Sequence, residues 1–244
     1  MAAERLLTAD HLYVARGSNP VLRDVSLHVD AGETVALVGG NGSGKSTLIS
    51  ALIGALPHQE GSVELFGEPL ASFTQWRRIG YVPQHSQISL LNATVEEIVS
   101  SGRIPHRRPF LRMRATDRAA IRHAISTVGL AERAHWPFAS LSGGQKQRTL
   151  IARALATEPD LFLMDEPMAG VDIHSQAGIG ALLDSLVQGG RGLLVVLHET
   201  GAVAIDRTVT LCEGRVTTVV HADSQPTHDQ ADQGPLGLDS FPST

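Results

Sequence analysis

Nine consecutive residues, Gly39-Gly40-Asn41-Gly42-Ser43-Gly44-Lys45-Ser46-Thr47, combine glycines, one lysine and adjacent hydroxyls in the pattern G-x-x-x-x-G-K-[ST]. Glycines let a backbone bend until successive N–H groups converge on phosphate oxygens. A helix that starts directly after such a loop adds the positive end of its dipole. In this reading Lys45 sets a compact cation on the β- and γ-phosphates of a nucleotide, and the Ser46 hydroxyl ligates Mg²⁺. The surroundings suit it. The apolar run Thr34–Val38 predicts a buried strand before the loop, and Leu48–Leu56 predicts a helix after it.

A second group of chemistry-bearing residues closes the apolar run Leu161-Phe162-Leu163-Met164, where Asp165 and Glu166 follow in succession. In a doubly wound sheet, ligands bind at the carboxyl ends of strands, where these acids would emerge. Asp165 can hold Mg²⁺, directly or through water. Glu166 can take a proton from water attacking the γ-phosphate, the part of a general base. Alone, the pair also fits a strand ending in a solvated acidic turn.

The third group is Leu141-Ser142-Gly143-Gly144-Gln145-Lys146-Gln147-Arg148. Ser142 suits a helix N-cap, and the stretch from Gly144 to Ala156 carries Leu150, Ile151, Ala154 and Leu155 at helical spacing. A helix opening Ser-Gly-Gly offers bare N–H groups to an anion. With this run the chain resembles the nucleotide-binding subunits of ABC transporters, whose signature sequence it matches. The resemblance spans about residues 5–220. It implies an α/β fold: a P-loop NTPase core with an N-terminal antiparallel β subdomain and an inserted α-helical subdomain.

The resemblance also implies roles. Gln84, in Tyr81-Val82-Pro83-Gln84, links the Mg²⁺ site to the helical subdomain and the membrane partner. Asp172, ending Ala169-Gly170-Val171-Asp172, contacts the opposite subunit. His198 contacts the γ-phosphate and positions water; alone, a histidine ending an apolar strand is more often structural. Leu141, Ser142, Gly143, Gly144 and Gln145 of one subunit face the phosphate loop of the other, so ATP closes a homodimer and hydrolysis opens it. Where the family usually stacks an aromatic on adenine, this chain has Arg16 before Gly17, with Tyr13 three residues out of register. Arginine can still stack through its planar guanidinium.

These groups need a scaffold, and 244 residues suffice for one large domain with a subdomain. Hydrophobic residues make up 42% and charged residues 18%, as in ordinary globular proteins. Short alternating runs at Leu12–Val14 and Val25–Val29 predict an antiparallel β piece. Gly61–Phe66, Ile79–Val82, Leu193–Leu197 and Val209–Cys212 predict further strands. Residues of about 86–140 read as the helical insert, with helices over Thr94–Ser101 and Thr116–Val128, the second started by Thr116 and Asp117. An arginine-rich loop, 103–114, lies between them. The domain is expected over 1–220, and the polar segment 221–244 is expected to be disordered.

No apolar run is long enough for a membrane span, and the first residues lack the pattern of a signal peptide. One cysteine, Cys212, fits a reducing compartment and is expected to be a small buried residue. The net charge of −5 gives no general attraction to nucleic acid, and none is expected as a partner. The expected partners are an integral membrane permease and, indirectly, an extracytoplasmic substrate-binding protein, with the chain peripheral on the cytoplasmic face of the membrane. Residues 93–103, Arg107–Pro109, 170–176 and Leu197-His198-Glu199 resemble the ATPase subunits of zinc and manganese importers, zinc most of all. Gly102-Arg103-Ile104-Pro105-His106 is similar to iron-siderophore importers, so manganese is the first alternative cargo and an iron-siderophore the next. A soluble ABC ATPase outside transport is the remote one.

Overall fold

The computed structural model describes residues 3–84, 93–106, 112–197 and 201–222, with only the backbone of His174. His198, residues 86–92 and 107–111 of the expected insert, and most of the expected polar tail lie outside the described residues.

Strands β1 (Arg5–Arg16) and β2 (Asn19–Asp30) form a long antiparallel hairpin. β3 (Thr34–Val38) leads through the glycine loop into helix α1 (Lys45–Leu52). β4 (Glu60–Leu65) and the two-residue β5 (Glu68–Pro69) complete a four-stranded sheet in the order β2-β1-β4-β5. β6 (Ile79–Val82) precedes the helical part, made of α2 (Val95–Ser101), α3 (Ala115–Thr127) and α4 (Gly143–Leu155). Then follow β7 (Leu161–Asp165), α5 (Ile173–Gln188), β8 (Gly192–Val196), β9 (Arg207–Cys212) and β10 (Arg215–His221).

The second sheet runs β10-β9-β3-β8-β7-β6. Its strands from β6 to β9 pair in parallel, and β10 turns back antiparallel on β9. Strands buried on both faces read as continuous apolar runs, and β7 and β8 do. Leu161, Leu163, Leu194 and Val196 face one core, with α1 and the antiparallel sheet. Phe162, Met164, Leu193 and Val195 face the other, with α2 to α5. The central sheet is therefore clamped between two hydrophobic layers, which fixes where its strands end.

Local chemistry sets the helix starts. Thr94 and Glu97 cap α2 reciprocally: Glu97 Oε2 accepts from Thr94 N at 2.8 Å, and Thr94 Oγ1 from Glu97 N at 3.3 Å. The start of α3 differs from expectation. Arg114 is the N-cap, and Asp117 reaches back to accept its N–H at 3.1 Å, so the helix begins one residue before Thr116. α1 also starts earlier than expected, at Lys45, because Gly44 turns the chain straight into the helix. It stops at Leu52, just before Gly54 takes φ 70°. Cys212 is exposed rather than buried. Burial alternates along β9, with Arg207, Val209 and Leu211 inward, and Cys212 falls on the outward register.

Candidate functional site

Gly39 and Gly44, at the two ends of the phosphate loop, are demanded by their surroundings. Gly44 has φ 109°, and a Cβ there would lie 2.8 Å from Leu22 Cδ2. A Cβ on Gly39 would lie 2.1 Å from the carbonyl oxygen of Leu211 on β9. The loop thus packs against β9 at Gly39 and against β2 at Gly44 with no room for a side chain at either end. α1 carries no acidic residue in its first turn, so nothing of its own offsets the positive helix end. Ser43 Oγ is buried with no hydrogen-bond partner among the described residues. Lys45 is 6% exposed and donates from Nζ to Gly39 O at 2.8 Å and Gly40 O at 3.0 Å. A buried ammonium on two carbonyls, an orphaned hydroxyl and a helix N-terminus together fit a polyphosphate.

An open cleft of about 270 Å³ lies over this loop. Arg16, Asn41, Gly42, Ser43, Gly44, Lys45, Ser46, Thr47, Gln84 and Glu166 line it, residues drawn from four separate parts of the chain. Val21, which sequence reasoning did not single out, forms its apolar wall. Its only signal is its place in the strand following Arg16-Gly17. Tyr13 is not among the cleft's lining residues; it pairs with Glu60 on β4, so of the two only Arg16 reaches the cleft.

Gln84 leaves the end of β6, and Glu166 leaves the end of the adjacent parallel strand β7. Gln84 Nε2 donates to Glu166 Oε2 at 2.5 Å across the cleft. Glu166 has φ 49°, in the left-handed region, a conformation costing a non-glycine residue roughly 1–2 kcal/mol. Such strain gathers at functional positions. Asp165, one residue earlier, is 4% exposed at the end of β7 and outside the cleft lining. The Tyr81 hydroxyl is pushed up, first by burial and then by the negative charge of Asp165. The cleft and strand end offer hydroxyl, amide and carboxylate oxygens from Ser46, Gln84 and Asp165, a donor set that suits a hard divalent cation such as Mg²⁺.

The signature residues lie apart from this cleft. Ser142 caps α4: its Oγ accepts from Gln145 N at 3.3 Å, and its own N–H donates to Gln145 Oε1 at 3.1 Å. Leu150, Ile151, Ala154 and Leu155 are buried as their spacing predicts. Asp172 caps α5 through Ser175 N at 3.0 Å. A Cβ on Gly143 would lie 3.0 Å from Gly170 O, and one on Gly144 would lie 2.8 Å from Ser175 Cβ. The run 169–172 and the start of α4 therefore form one surface within the subunit. None of residues 141–145 or 169–172 is among the residues that line the cleft over the phosphate loop.

Elsewhere, His28, Asp30 and Glu33 come within metal-ligand distance of one another. Both Glu33 oxygens accept from Arg207, at 2.7 and 3.0 Å, and Asp30 accepts from Arg5 at 2.9 Å. These arginines already neutralise the acids, so the group is an ion-pair network.

This arrangement defines a P-loop nucleotide-binding cassette with an antiparallel β piece and a helical insert. A family model described as "ABC transporter" matches residues 22–169. The chain is 40% identical over 205 residues to the zinc transport system ATP-binding protein TroB of Treponema pallidum, covering 83% of this chain and 76% of that one. It is 39% identical over 243 residues to the zinc import ATP-binding protein ZnuC of Cereibacter sphaeroides, covering 96% and 92%. The solved ADP conformation of MJ1267, an ATP-binding cassette of an ABC transporter, superimposes with a TM-score of 0.81 at 26% identity, covering 90% and 92%. The chain belongs to the ABC transporter family and is its ATP-hydrolysing component, coupled to transport. Cassettes of this family act as dimers with membrane permeases. No helix among the described residues is long and apolar enough to cross a membrane.

Proposed function

We propose that this chain powers zinc import: two copies close on ATP beneath a separate permease on the cytoplasmic face of the membrane, with an extracytoplasmic protein delivering the ion. The observation that carries the cargo is the similarity, over most of the chain, to subunits named for zinc transport. The ATP-binding subunit handles nucleotide, and ion choice belongs to the permease and binding protein, whose ligands select the metal. Zinc is therefore inferred through the partner, which docks on the surface around residues 93–106.

Each site residue has a role in this reading. Gly39 to Thr47 cradle the triphosphate through backbone N–H groups, with Lys45 exchanging its two loop carbonyls for β- and γ-oxygens. Ser46, Asp165 and Gln84 would hold Mg²⁺, which when bound neutralises charge on the phosphates. Glu166 accepts a proton from the attacking water. His198 contacts the γ-phosphate. Arg16 lies flat against the base. Leu141 to Gln145 of the second copy close over the γ-phosphate, and Asp172 meets that copy. Ile173, beside Asp172, is 76% exposed, an apolar side chain suited to being covered when the copies close.

The test is deletion of the gene in its host, with growth and cell metal content measured under chelation. A defect repaired by zinc alone is expected. Normal zinc content with a deficit of manganese or iron refutes zinc and leaves the ATPase in place.

A further inference from the structure

The motif Gly102-Arg103-Ile104-Pro105-His106 takes no part in the nucleotide cleft, yet Arg103 is among the few buried charges of the fold, 5% exposed. Its guanidinium joins three elements. Nε donates to Asp117 Oδ1 at 3.1 Å, in the first turn of α3. Nη1 donates to the carbonyl of Ala156 at 2.9 Å and to Glu158 Oε2 at 2.6 Å. Ala156 is the C-cap of α4, so its carbonyl is one of those a helix leaves without an internal partner. A cation there also meets the negative end of the helix dipole.

The neighbouring residues tighten the same joint. His106 Nε2 donates to Thr157 O at 2.8 Å, one residue beyond the α4 cap. Gly102 lets the end of α2 press on the last turn of α4: a Cβ would lie 2.1 Å from Arg153 O. Glu158 takes φ 55°, the left-handed turn that ends α4 and brings its carboxylate to Arg103. Between these anchors Ile104 points outward, 65% exposed, and the turn Ile104–His106 packs on the turn Trp76–Arg78, whose Trp76 is 40% exposed. An outward apolar patch is thus bolted to the C-terminal end of α4. At the other end of that helix, about 20 Å away for 13 residues at 1.5 Å each, stands Ser142.

We propose that Arg103 is a positioning residue that makes the exposed Ile104–His106 turn, the start of α3 and helix α4 one rigid body, so that a displacement of the turn is delivered at Ser142. It rests on the reading above that the permease docks around residues 93–106. Lysine cannot replace the fork, because a single ammonium cannot span Asp117, Ala156 O and Glu158 with fixed geometry. An unpaired Asp117 would be costly in this buried place, so the clean deletion removes both charges, as Arg103→Met with Asp117→Asn.

The experiment uses the assembled complex of this subunit, its permease and its binding protein, reconstituted in vesicles. ATP hydrolysis is measured without and with the zinc-loaded binding protein, together with zinc uptake and retention of the subunit on the permease. Arg103→Lys and the double variant should keep retention, KM for ATP and basal hydrolysis within about twofold of the parent. Stimulation by the loaded binding protein should fall tenfold or more in the double variant and less in Arg103→Lys, with zinc moved per ATP falling in step. Full stimulation in the double variant overturns the proposal. So does an equal loss of basal and stimulated hydrolysis, which marks a merely structural role. Ile104→Glu tests the docking reading separately: undiminished retention of that variant on the permease sinks the docking surface, whatever the Arg103 variants do.

Discussion

Gln84 and Glu166, 82 residues apart, meet at 2.5 Å because they end neighbouring parallel strands, β6 and β7. In this state the amide of Gln84 holds one of the two carboxylate oxygens of Glu166 and so orients the group proposed to accept a proton from water. Glu166→Gln should retain ATP binding and lose turnover by about 10²–10⁴-fold, the usual worth of a general base. Lys45→Ala should instead weaken binding of the triphosphate, since the buried ammonium is lost. Single-turnover hydrolysis and nucleotide binding on both variants check this. Near-normal hydrolysis by Glu166→Gln would remove Glu166 from its role.

The geometry of α4 carries the second prediction. Ser142 and Gly143 are exposed, and the surface they share with Gly170 and Ser175 is separate from the subunit's own cleft. If two copies share each ATP, Glu166→Gln should dimerise with ATP and not with ADP. Adding Ser142→Arg should abolish that dimer, because a large side chain at the N-cap fills the place of the phosphate. Light scattering on the subunit and on the permease-bound complex distinguishes the outcomes. An ATP-loaded complex whose two subunits stay apart would rule out the shared site.

Base recognition gives the third. Arg16 lines the cleft, and Tyr13 does not. Discrimination between ATP and GTP should be weaker here than in relatives with an aromatic at this position. Arg16→Tyr should tighten ATP binding by about 0.5–1.5 kcal/mol if aromatic stacking is recovered. Equilibrium binding of both nucleotides measures it, and unchanged affinities would assign the base contact to another residue.

Much of this site is legible in sequence because its chemistry is carried by short contiguous runs. The phosphate loop, the strand end Asp165-Glu166 and the capped helix at Ser142 each announce their local structure. What sequence does not show are the contacts made across it. The Gln84–Glu166 bond depends on which strands are neighbours. Arg114 caps α3 only because Asp117 reaches back, so Thr116 looked the better start. Cys212 sits in an apolar run but on its outward register, opposite to Val209 and Leu211, which face the core. Arg103 reads as part of an arginine-rich surface loop until α4 ends beside it.

The network at the edge of the two sheets gives the last prediction, on pH. His28 is held below its ordinary pKa, first by burial and then by the positive charges of Arg207 and Arg5, with Asp30 and Glu33 opposing. The folded state thus prefers the neutral ring. Its contribution is fully present above the unfolded value of about 6.5, and it is lost as pH falls from there toward the lower folded value, because the unfolded chain takes up the proton first. His11 has the opposite sign. Hydrogen bonding to Asp24 at 2.6 Å, reinforced by that charge, raises it, so its contribution is present below about 6.5 and fades as pH rises through the folded value. His28→Gln should therefore shrink the fall in Tm between pH 7.5 and 5.5. His11→Gln should enlarge that fall, by a smaller amount that vanishes in high salt because the pair is exposed. Thermal unfolding of the two variants at both pH values and two salt concentrations reads this directly. A larger fall in His28→Gln would mean that Asp30 and Glu33, rather than burial and the arginines, govern the ring.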